Sequence, residues 1–359
     1  MNKLLALYRQ RCKPYLPQSR WLRYPLLIIV AVYLWGWLQR IPFPGEIKTV
    51  NALTSSMKTH CIGRHFIDVP KVAIADYPEY TFKIDWTTIE TLRAGVTPEE
   101  YEKHITAFEQ ALLNTKLRYE PKPPLLLKSE RLSAHTHFTH AYKNRNSEIH
   151  KKLTVHTLVG DRLVMLSVIT GDSQYDEARA SLLQVAQNLM PMPDNIADIP
   201  PGFCAGHVLV KNIPNARERA YVVFGWSKPY DDVLFEVTIE NGGSTSEGSL
   251  LQRISFGKAM LERMLPQHSV LRSGNKDAGK IDGEEWLSKA KLKNTQLRFL
   301  WETSHKKLSS QTPEIRLELN AGLQDASGRY PEKPGFSDNE AIGIWDAMIN
   351  SLRVRPNAF

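Results

Sequence analysis

The stretch Cys61-Ile-Gly-Arg-His-Phe-Ile-Asp-Val-Pro70 recurs in outline as Cys204-Ala-Gly-His-Val-Leu-Val-Lys-Asn-Ile-Pro214. Each copy begins with Cys-x-Gly, continues into a short apolar segment and ends at a proline. Glycine favours a turn, the apolar segment favours a strand, and proline interrupts strand pairing. The repetition predicts two similar units, the first beginning near residue 57 and the second near residue 203.

Strand and helix patterns follow the first copy. Tyr80–Trp86 alternates apolar and polar residues, which is typical of a half-buried strand. Thr97-Pro98-Glu99-Glu100 supplies an N-cap, a first-turn proline and an acidic pair, so a helix is expected next. The remaining elements of the first unit are four strands and a closing helix, expected at Leu125–Arg131, Thr136–Tyr142, Lys152–Leu158, Arg162–Ile169 and Ser173–Leu189.

The second copy is followed by the same order of elements. We expect two strands, a helix, a four-stranded meander and a final helix, at Ala220–Trp226, Val233–Glu240, Ser249–Leu265, Val270–Arg272, Glu285–Ala290, Gln296–Glu302, Ile315–Ala321 and Ser337–Leu352. The sequence therefore predicts an α+β fold with two similar α+β domains in tandem.

Proline and glycine mark the boundaries between these domains. Pro42, Pro44 and Gly45 would break a continuing helix, so residues 44–56 are interpreted as a tether. Four prolines within Met190–Gly202 indicate a stiff, extended linker. The predicted N-terminal domain is therefore 57–189, the linker 190–202 and the C-terminal domain 203–359.

The N-terminal segment has the pattern of a membrane anchor. An uncharged run, Tyr24–Leu38, is flanked by tryptophans of the kind found at membrane interfaces, Trp21, Trp35 and Trp37. We expect one transmembrane helix over 24–43, with the basic residues 1–23 in the cytoplasm and 44–359 in the periplasm of a bacterium. A cleaved signal peptide is the alternative, but no Ala-x-Ala-like site follows the run.

Net charge argues against a nucleic-acid-binding body. The chain carries 46 Lys and Arg against 38 Asp and Glu. Six of these bases, and no acid, lie in residues 1–24, so 40 bases face 38 acids in the rest of the chain. The body is nearly neutral, and we expect no nucleic-acid partner.

The chain has three cysteines. In the topology above, Cys12 lies on the reducing cytoplasmic side, so Cys61 and Cys204 are the pair that could form a disulfide. Two free buried thiols are the alternative.

Candidate catalytic and metal-binding patterns are incomplete. Ser244–Gly248 lacks the first glycine of a nucleophile elbow, and Gly274–Ile281 lacks the final hydroxyl residue of a phosphate-binding loop, so it is interpreted as a turn. His135 and His137 could share one face of a strand and bind a metal, but no third ligand accompanies them. We interpret these two histidines and their neighbours His140, His150 and His156 as exposed strand residues.

Acidic pairs and tryptophans have structural explanations. Glu99-Glu100, Asp231-Asp232 and Glu284-Glu285 lie at an expected helix start and in turns or strand starts, where solvation and the helix dipole account for them. The tryptophans of the body, Trp86, Trp226, Trp286, Trp301 and Trp345, fall in expected strands or helices, where core packing is the default. We therefore assign no catalytic, cofactor-binding or metal-binding residue.

Three segments resemble a family of bacterial immunity proteins. These proteins act against phospholipase effectors of the type VI secretion system, specifically the class-four lipase effectors. The segments are Thr59-His-Cys-Ile-Gly-Arg-His-Phe-Ile-Asp-Val-Pro70, Gly202-Phe-Cys204 and Gly343-Ile-Trp-Asp-Ala-Met-Ile-Asn-Ser-Leu-Arg-Val-Arg-Pro356. The resemblance spans roughly residues 57–358. Its motifs are short fold signatures, and they assign no partner-binding residue.

The resemblance implies a two-domain clamp that binds its cognate phospholipase effector in the periplasm, without a cofactor or catalysis of its own. Because the expected anchor would hold the chain in the inner membrane, the inhibitor would stand beside the membrane it protects. The alternative is a non-enzymatic binding or assembly module of the cell envelope. A metal-dependent hydrolase built on His135 and His137 is the third and weakest hypothesis.

Overall fold

The computed structural model describes residues 42–74, 80–243, 248–264, 267–305, 307–325 and 328–359, with only the backbone for 258–264. The chain divides into two compact units, Met1–Thr49 and Val50–Phe359. The predicted cytoplasmic segment 1–23, and all but the last two residues of the predicted anchor 24–43, lie outside the described residues. Across the described part of the chain, no helix combines the length and apolar character needed to span a membrane.

Helix α1, Pro44–Thr54, occupies most of the segment that we interpreted as a tether. Pro44 is its first residue, a position where the missing N–H of proline costs no hydrogen bond. The expectation that Pro44 and Gly45 exclude a helix here was therefore wrong, because both lie in the first turn of α1.

The described residues of the first half of the body form ten strands and two helices. They are β1 Met57–Ile62, β2 His65–Pro70, β3 Ala73–Ile74, β4 Tyr80–Ile84, β5 Thr87–Arg93, α2 Pro98–Asn114, β6 Leu126–Ser133, β7 Thr136–Tyr142, β8 Lys151–Val159, β9 Arg162–Thr170, α3 Tyr175–Gln187 and β10 Leu189–Pro191. The start of α2 follows the sequence prediction, because Thr97 and Glu100 form a reciprocal capping box.

The second half repeats this order. Its elements are β11 Phe203–Ala205, β12 Val208–Val210, β13 Glu218–Trp226, β14 Leu234–Glu240, α4 Leu250–Met264, β15 His268–Asn275, β16 Gly283–Lys291, β17 Thr295–Thr303, β18 Glu314–Ala321, α5 Asp338–Ser351 and β19 Arg353–Val354. Each half contains, in order, a hairpin (β4–β5 or β13–β14), a helix, a four-stranded meander (β6–β9 or β15–β18) and a closing helix. The last strand of each meander pairs with the second strand of the hairpin, β9 with β5 and β18 with β14. The predicted tandem of similar mixed helix-and-sheet domains is confirmed, and both domains are mostly sheet.

The two halves share one continuous antiparallel sheet. Its strand order is β15-β16-β17-β18-β14-β13-β4-β5-β9-β8-β7-β6, and the halves meet where β13 pairs with β4. The two predicted units are therefore joined through this sheet as well as through the chain between them. Strand β10, Leu189–Pro191, includes the first two residues of the predicted linker 190–202, and Ile196–Asp198 within the linker form a short 3₁₀ turn.

The small strands also cross between the halves. Strand β10 follows the last helix of the first half but pairs with β12 of the second, and β19 follows the last helix of the second half but pairs with β2 of the first. Gly63 and Cys204 exchange two backbone hydrogen bonds, of 3.0 and 2.7 Å. In the structure Cys61 and Cys204 form a disulfide with a Cα–Cα separation of 5.8 Å. The repeated Cys-x-Gly segments thus lie side by side.

One face of the large sheet forms the main core. Cross-strand neighbours on this face, including Phe82, Ala220 and Ile239, are buried, because side chains alternate between the two faces of a strand. The β1–β2 and β11–β12 hairpins pack here, as shown by His60 against Phe224 and Phe203 against Phe82.

Helices α3 and α5 cover the same apolar face. The guanidinium of Arg179 in α3 lies over the ring of Phe138, and Trp345 of α5 contacts Phe235 and Phe299.

A buried ion pair between Arg64, in the β1–β2 turn, and Glu218, at the start of β13, links the two halves. The single Nε–H of Arg64 makes a bifurcated hydrogen bond to the two carboxylate oxygens of Glu218, at 2.8 and 3.1 Å, and both side chains are almost fully buried. The Arg64 guanidinium also donates to Asn212 at 2.8 Å. Nearby, buried Arg355 donates to the backbone carbonyls of Ile199, Pro200 and Gly202.

Candidate functional site

The opposite face of the sheet is polar and remains open at its centre. On this face, residues on the neighbouring strands β5, β4, β13, β14 and β18 lie opposite one another in a row. They are Thr88, Lys83, Arg219, Glu240 and Glu314, and all five are half-exposed or exposed. Residues opposite one another in antiparallel strands point to the same side. A polar surface therefore runs without interruption across the junction of the two halves.

Helices α2 and α4 stand at the two ends of this face. In α2, Tyr101 donates a hydrogen bond from its hydroxyl to the carbonyl of His156 at 3.1 Å, and Glu109 lies 2.9 Å from His137 Nε2. In α4, Arg253 forms an ion pair with Glu302, and the backbone N–H of Leu251 donates to Glu284 at 2.9 Å. Among the described residues, the helices that contact this face are α2 and α4, and the strands between them form its open part.

A depression of about 260 Å³ lies in the open polar face, on the second-half side of the junction. It is lined by four acids, two bases, a tyrosine and a threonine: Glu236, Glu240, Glu314, Glu318, Arg219, Arg316, Tyr221 and Thr238. Four carboxylates against two guanidiniums give this lining a net negative charge. A complementary ligand would present basic groups to it.

Hydrogen bonds and ion pairs hold the lining in place. The Tyr221 hydroxyl donates to Glu236 at 3.0 Å, and Arg298 pairs with Glu318 at 2.9 Å. Arg316 pairs with the buried Glu302 at 2.7 Å. Ordered side chains of this kind lose little conformational freedom on binding.

Burial raises the pKa of Glu314, because desolvation disfavours the charged form, and the negative charge of the neighbouring Glu240 adds to the effect. A basic side chain arriving at the depression would relieve this repulsion.

The histidines interpreted as exposed strand residues are mostly placed differently. His137 and His156 are buried and lie opposite one another on β7 and β8, beneath α2. The ring of His156 packs against Phe108 at 4.5 Å and His104 at 5.0 Å. His140 lies on the other face of β7, against Tyr175.

The strand pattern gave no sign that a helix would cover the histidine-bearing face, so the expectation of exposure was wrong for His137 and His156. His135 and His150 are exposed. Within the described ranges, no group of three or more His, Cys, Asp or Glu side chains has the arrangement of a metal site.

Burial lowers the pKa of several histidines. For His156 desolvation is the main cause, the nearby His104 and His137 add to it, and the pKa falls to about 3. Desolvation, with a smaller contribution from Arg64, lowers the pKa of His65 to about 4. These rings are neutral near pH 7, and burial makes their protonated forms costly.

The other sequence candidates have structural roles. Gly274–Ile281 leads into a turn closed by two hydrogen bonds between Ala278 and Ile281, as interpreted. Asp232 is buried and accepts hydrogen bonds from the N–H groups of Gly322 and Gly335. Residues 244–247 of the Ser244–Gly248 segment lie outside the described residues.

Glu284 and Glu285 have distinct structural roles. Glu284 accepts the Leu251 N–H already described, whereas Glu285 is buried and pairs with Arg272 at 2.6 Å.

Four of the five tryptophans are buried, and Trp86 is not. Trp226, Trp286, Trp301 and Trp345 are all less than 9% exposed, whereas Trp86 is 75% exposed. Strand β4 ends at Ile84, and Asp85 adopts a positive φ of 50° in the β4–β5 turn. The alternation that placed Trp86 in a strand therefore stops two residues earlier than expected.

The open polar face was not predicted from the sequence. Its local signal is present in β14 and β18, where charged and threonine side chains occupy every second position from Glu236 to Glu240 and from Glu314 to Glu318. That alternation marks a solvent-facing side. The pairing of β13 with β4, which extends the face into the other half, has no local signal.

Family comparisons match both halves of the body. Residues 58–196 match the N-terminal domain of the family described as Tle cognate immunity protein 4, and residues 198–357 match its C-terminal domain. No curated protein shows significant sequence similarity to the chain.

Solved structures with a similar fold include three of immunity proteins or their complexes. The apo immunity protein TplEi of the T6SS from Pseudomonas aeruginosa aligns with a TM-score of 0.68 at 22% identity, over 84% of this chain and 97% of its own. A chain of the Tle4-Tli4 complex aligns with a TM-score of 0.69 at 22% identity, over 84% and 99%. TplEi of P. aeruginosa complexed with "L" peptide gives 0.64 at 24% identity, over 84% and 99%.

Proposed function

The chain belongs to the Tle cognate immunity protein 4 family, and from that premise we propose that it inhibits its cognate type VI secreted phospholipase effector in the periplasm, by binding and without catalysis. The observation that carries the proposal is the match of both family domains, in order, over residues 58–357. An immunity protein of this kind needs no reactive side chain, because covering an active-site mouth or restraining a lid is enough to block turnover.

The proposed binding site is the open polar face between α2 and α4. Its position across the junction lets both halves contact one partner, in the manner of a clamp, and its depression is acidic. Charge complementarity would speed encounter with a basic segment of the effector and favour one register. The proposed partner segment is therefore basic and narrow enough to lie between the two helices.

A steric variant tests this site. Thr238 lies between Tyr221 and Arg316 on neighbouring strands and is half-exposed in the depression. Thr238→Trp fills the depression while leaving the buried face of β14 unchanged, and aromatic residues suit strands. Ser269→Trp on the exposed edge strand β15 is the matched control.

The expected result is loss of co-purification with the effector for Thr238→Trp and retention for Ser269→Trp. Both variants should keep the melting temperature of the wild type to within a few degrees. Wild-type binding by a folded Thr238→Trp variant would move the interface elsewhere. Failure of the wild-type chain to bind the effector would contradict the proposed function itself.

The membrane anchor is a further part of the proposal. The uncharged run within 24–43, its flanking tryptophans and the six bases before it support a single inner-membrane span with the body in the periplasm. The full chain should remain in the membrane fraction after washing with high salt and alkaline carbonate. Its appearance in the wash would contradict the anchor and leave the inhibitor proposal intact.

A further inference from the structure

Two loops at the outer end of the first half form one exposed surface. The first, residues 115–124, connects α2 to β6, and the second, residues 143–150, connects β7 to β8. The N–H of Arg118 donates to the carbonyl of Arg145 at 2.9 Å, and the Arg145 side chain donates back to the carbonyl of Lys116 at 3.3 Å. We call this pair of loops the basic loop surface.

Its charge contrasts with that of the body. Five bases on the two loops are exposed, namely Lys116, Arg118, Lys122, Lys143 and Arg145. Two exposed acids accompany them, Glu120 and Glu148, and Glu120 is paired with Lys122 at 2.7 Å. The basic loop surface is therefore clearly positive, although the chain beyond residue 24 has nearly equal numbers of bases and acids.

Each loop also exposes a large apolar or amphipathic side chain. Tyr119 on the first loop is 51% exposed, and Ile149 on the second is 73% exposed. The buried Leu117 and Leu125 fix the first loop to the core on either side of Tyr119. The exposure of Tyr119 is thus built into an anchored loop.

We infer that the basic loop surface docks onto the headgroups of an anionic phospholipid membrane. Lysine and arginine are attracted to such a surface, their long side chains reach the headgroups, and tyrosine and isoleucine insert at the polar–apolar boundary. Three of the five bases are lysines, a residue depleted from protein–protein interfaces. Charge and composition therefore favour a lipid surface over an acidic protein. This inference concerns a different part of the molecule from the proposed effector site.

The test is photocrosslinking with the full chain. p-Benzoylphenylalanine replaces Tyr119 or Ile149, and in the matched control it replaces Phe256, which is 91% exposed on α4. The proteins are incorporated into vesicles of phosphatidylethanolamine and phosphatidylglycerol, and in parallel into vesicles of phosphatidylcholine alone. Mass spectrometry then counts lipid adducts at each probe position. Since all probes share the same N-terminal segment, any anchoring effect is common to them.

We expect lipid adducts at positions 119 and 149 to exceed those at 256 by about tenfold in the anionic vesicles, and to fall towards the control level in phosphatidylcholine. Charge reversal by Lys116→Glu, Arg118→Glu and Lys143→Glu should reduce the adducts by about tenfold or more. The same reversal at Lys71, Lys211 and Lys228, which are exposed elsewhere, should leave them unchanged.

Equal adduct yields at all three probe positions would overturn the inference, as would yields independent of lipid charge. Adducts to the effector in place of lipid, when the effector is present, would assign the basic loop surface to a protein interface and also overturn it. Circular dichroism in the near ultraviolet shows whether the charge-reversal variants keep the native fold, and the lipid comparison with the unaltered loops decides the matter if they do not.

Discussion

Removal of the Cys61–Cys204 disulfide should destabilise the body substantially. The two cysteines are separated by 143 positions and join the first half to the second. In the loop-closure model, a cross-link of that length contributes about 5 kcal/mol to the free energy of unfolding. The unfolding entropy of about 300 residues is about 0.65 kcal/mol/K, so Cys61→Ala/Cys204→Ala should melt about 8 °C below the wild type.

Calorimetry of the two proteins measures this difference, and thiol titration in denaturant tests its premise. The sequence has three cysteines, so the unreduced wild type should show one free thiol, that of Cys12, and the reduced protein three. The reduced wild type should melt with the double variant. Three free thiols before reduction, or melting temperatures that agree to within about 2 °C, would refute the reasoning.

Two further predictions concern the buried ion pair and the buried histidines. Arg64→Met leaves Glu218 buried without its partner and should lower the free energy of unfolding by about 3–5 kcal/mol. The double variant Arg64→Met/Glu218→Leu should recover part of the loss. Urea denaturation measures both variants, and an unchanged free energy for the single variant would contradict the role of the pair. Because burial lowers the folded pKa of His65 to about 4 and of His156 to about 3, the unfolded chain binds protons first as the pH falls below about 6.5. Stability should therefore decrease as the pH falls from about 6.5 towards about 4 for His65 and about 3 for His156, by up to about 1.4 kcal/mol per pH unit for each histidine. His156→Phe should reduce that slope, and equal slopes for wild type and variant would count against the buried neutral ring.

Local patterns were sufficient to predict most individual elements. The alternation in Thr136–Tyr142 matches strand β7 in both bounds, and the cap at Thr97 places the start of α2. Strand β5, Thr87–Arg93, had no prediction, because only its first residues are buried and its last two are exposed. Period-two patterning indicates a strand only where one face contacts a core.

Long-range pairing lay beyond the reach of these patterns. The repeated Cys-x-Gly segments predicted two similar units. They did not predict that β10 would pair with β12 of the second half, or β19 with β2 of the first. Such pairings depend on where the folded units contact one another. Because every residue other than proline offers the same backbone N–H and C=O groups, the local sequence does not specify a strand's partner. The continuous polar face is a consequence of the β4–β13 contact, so it too required the structure.

Residues with similar sequence patterns differ in burial because of their surroundings in the fold. Trp86 and Trp226 both end predicted strands, yet one lies in a turn and the other packs against Phe336. His137 is buried because α2 places Glu109 beside it, whereas His135 lies just before β7 and is exposed. A single-strand pattern distinguishes the two faces, but it does not show which face another element will cover.

The inhibitor account is tested most directly by titrating the purified full chain into a phospholipase assay of its cognate effector. The account predicts that hydrolysis of phospholipid vesicles falls to background at an equimolar ratio, and that the two proteins then elute as one complex. Undiminished hydrolysis at a large molar excess, whether or not the proteins associate, would contradict it.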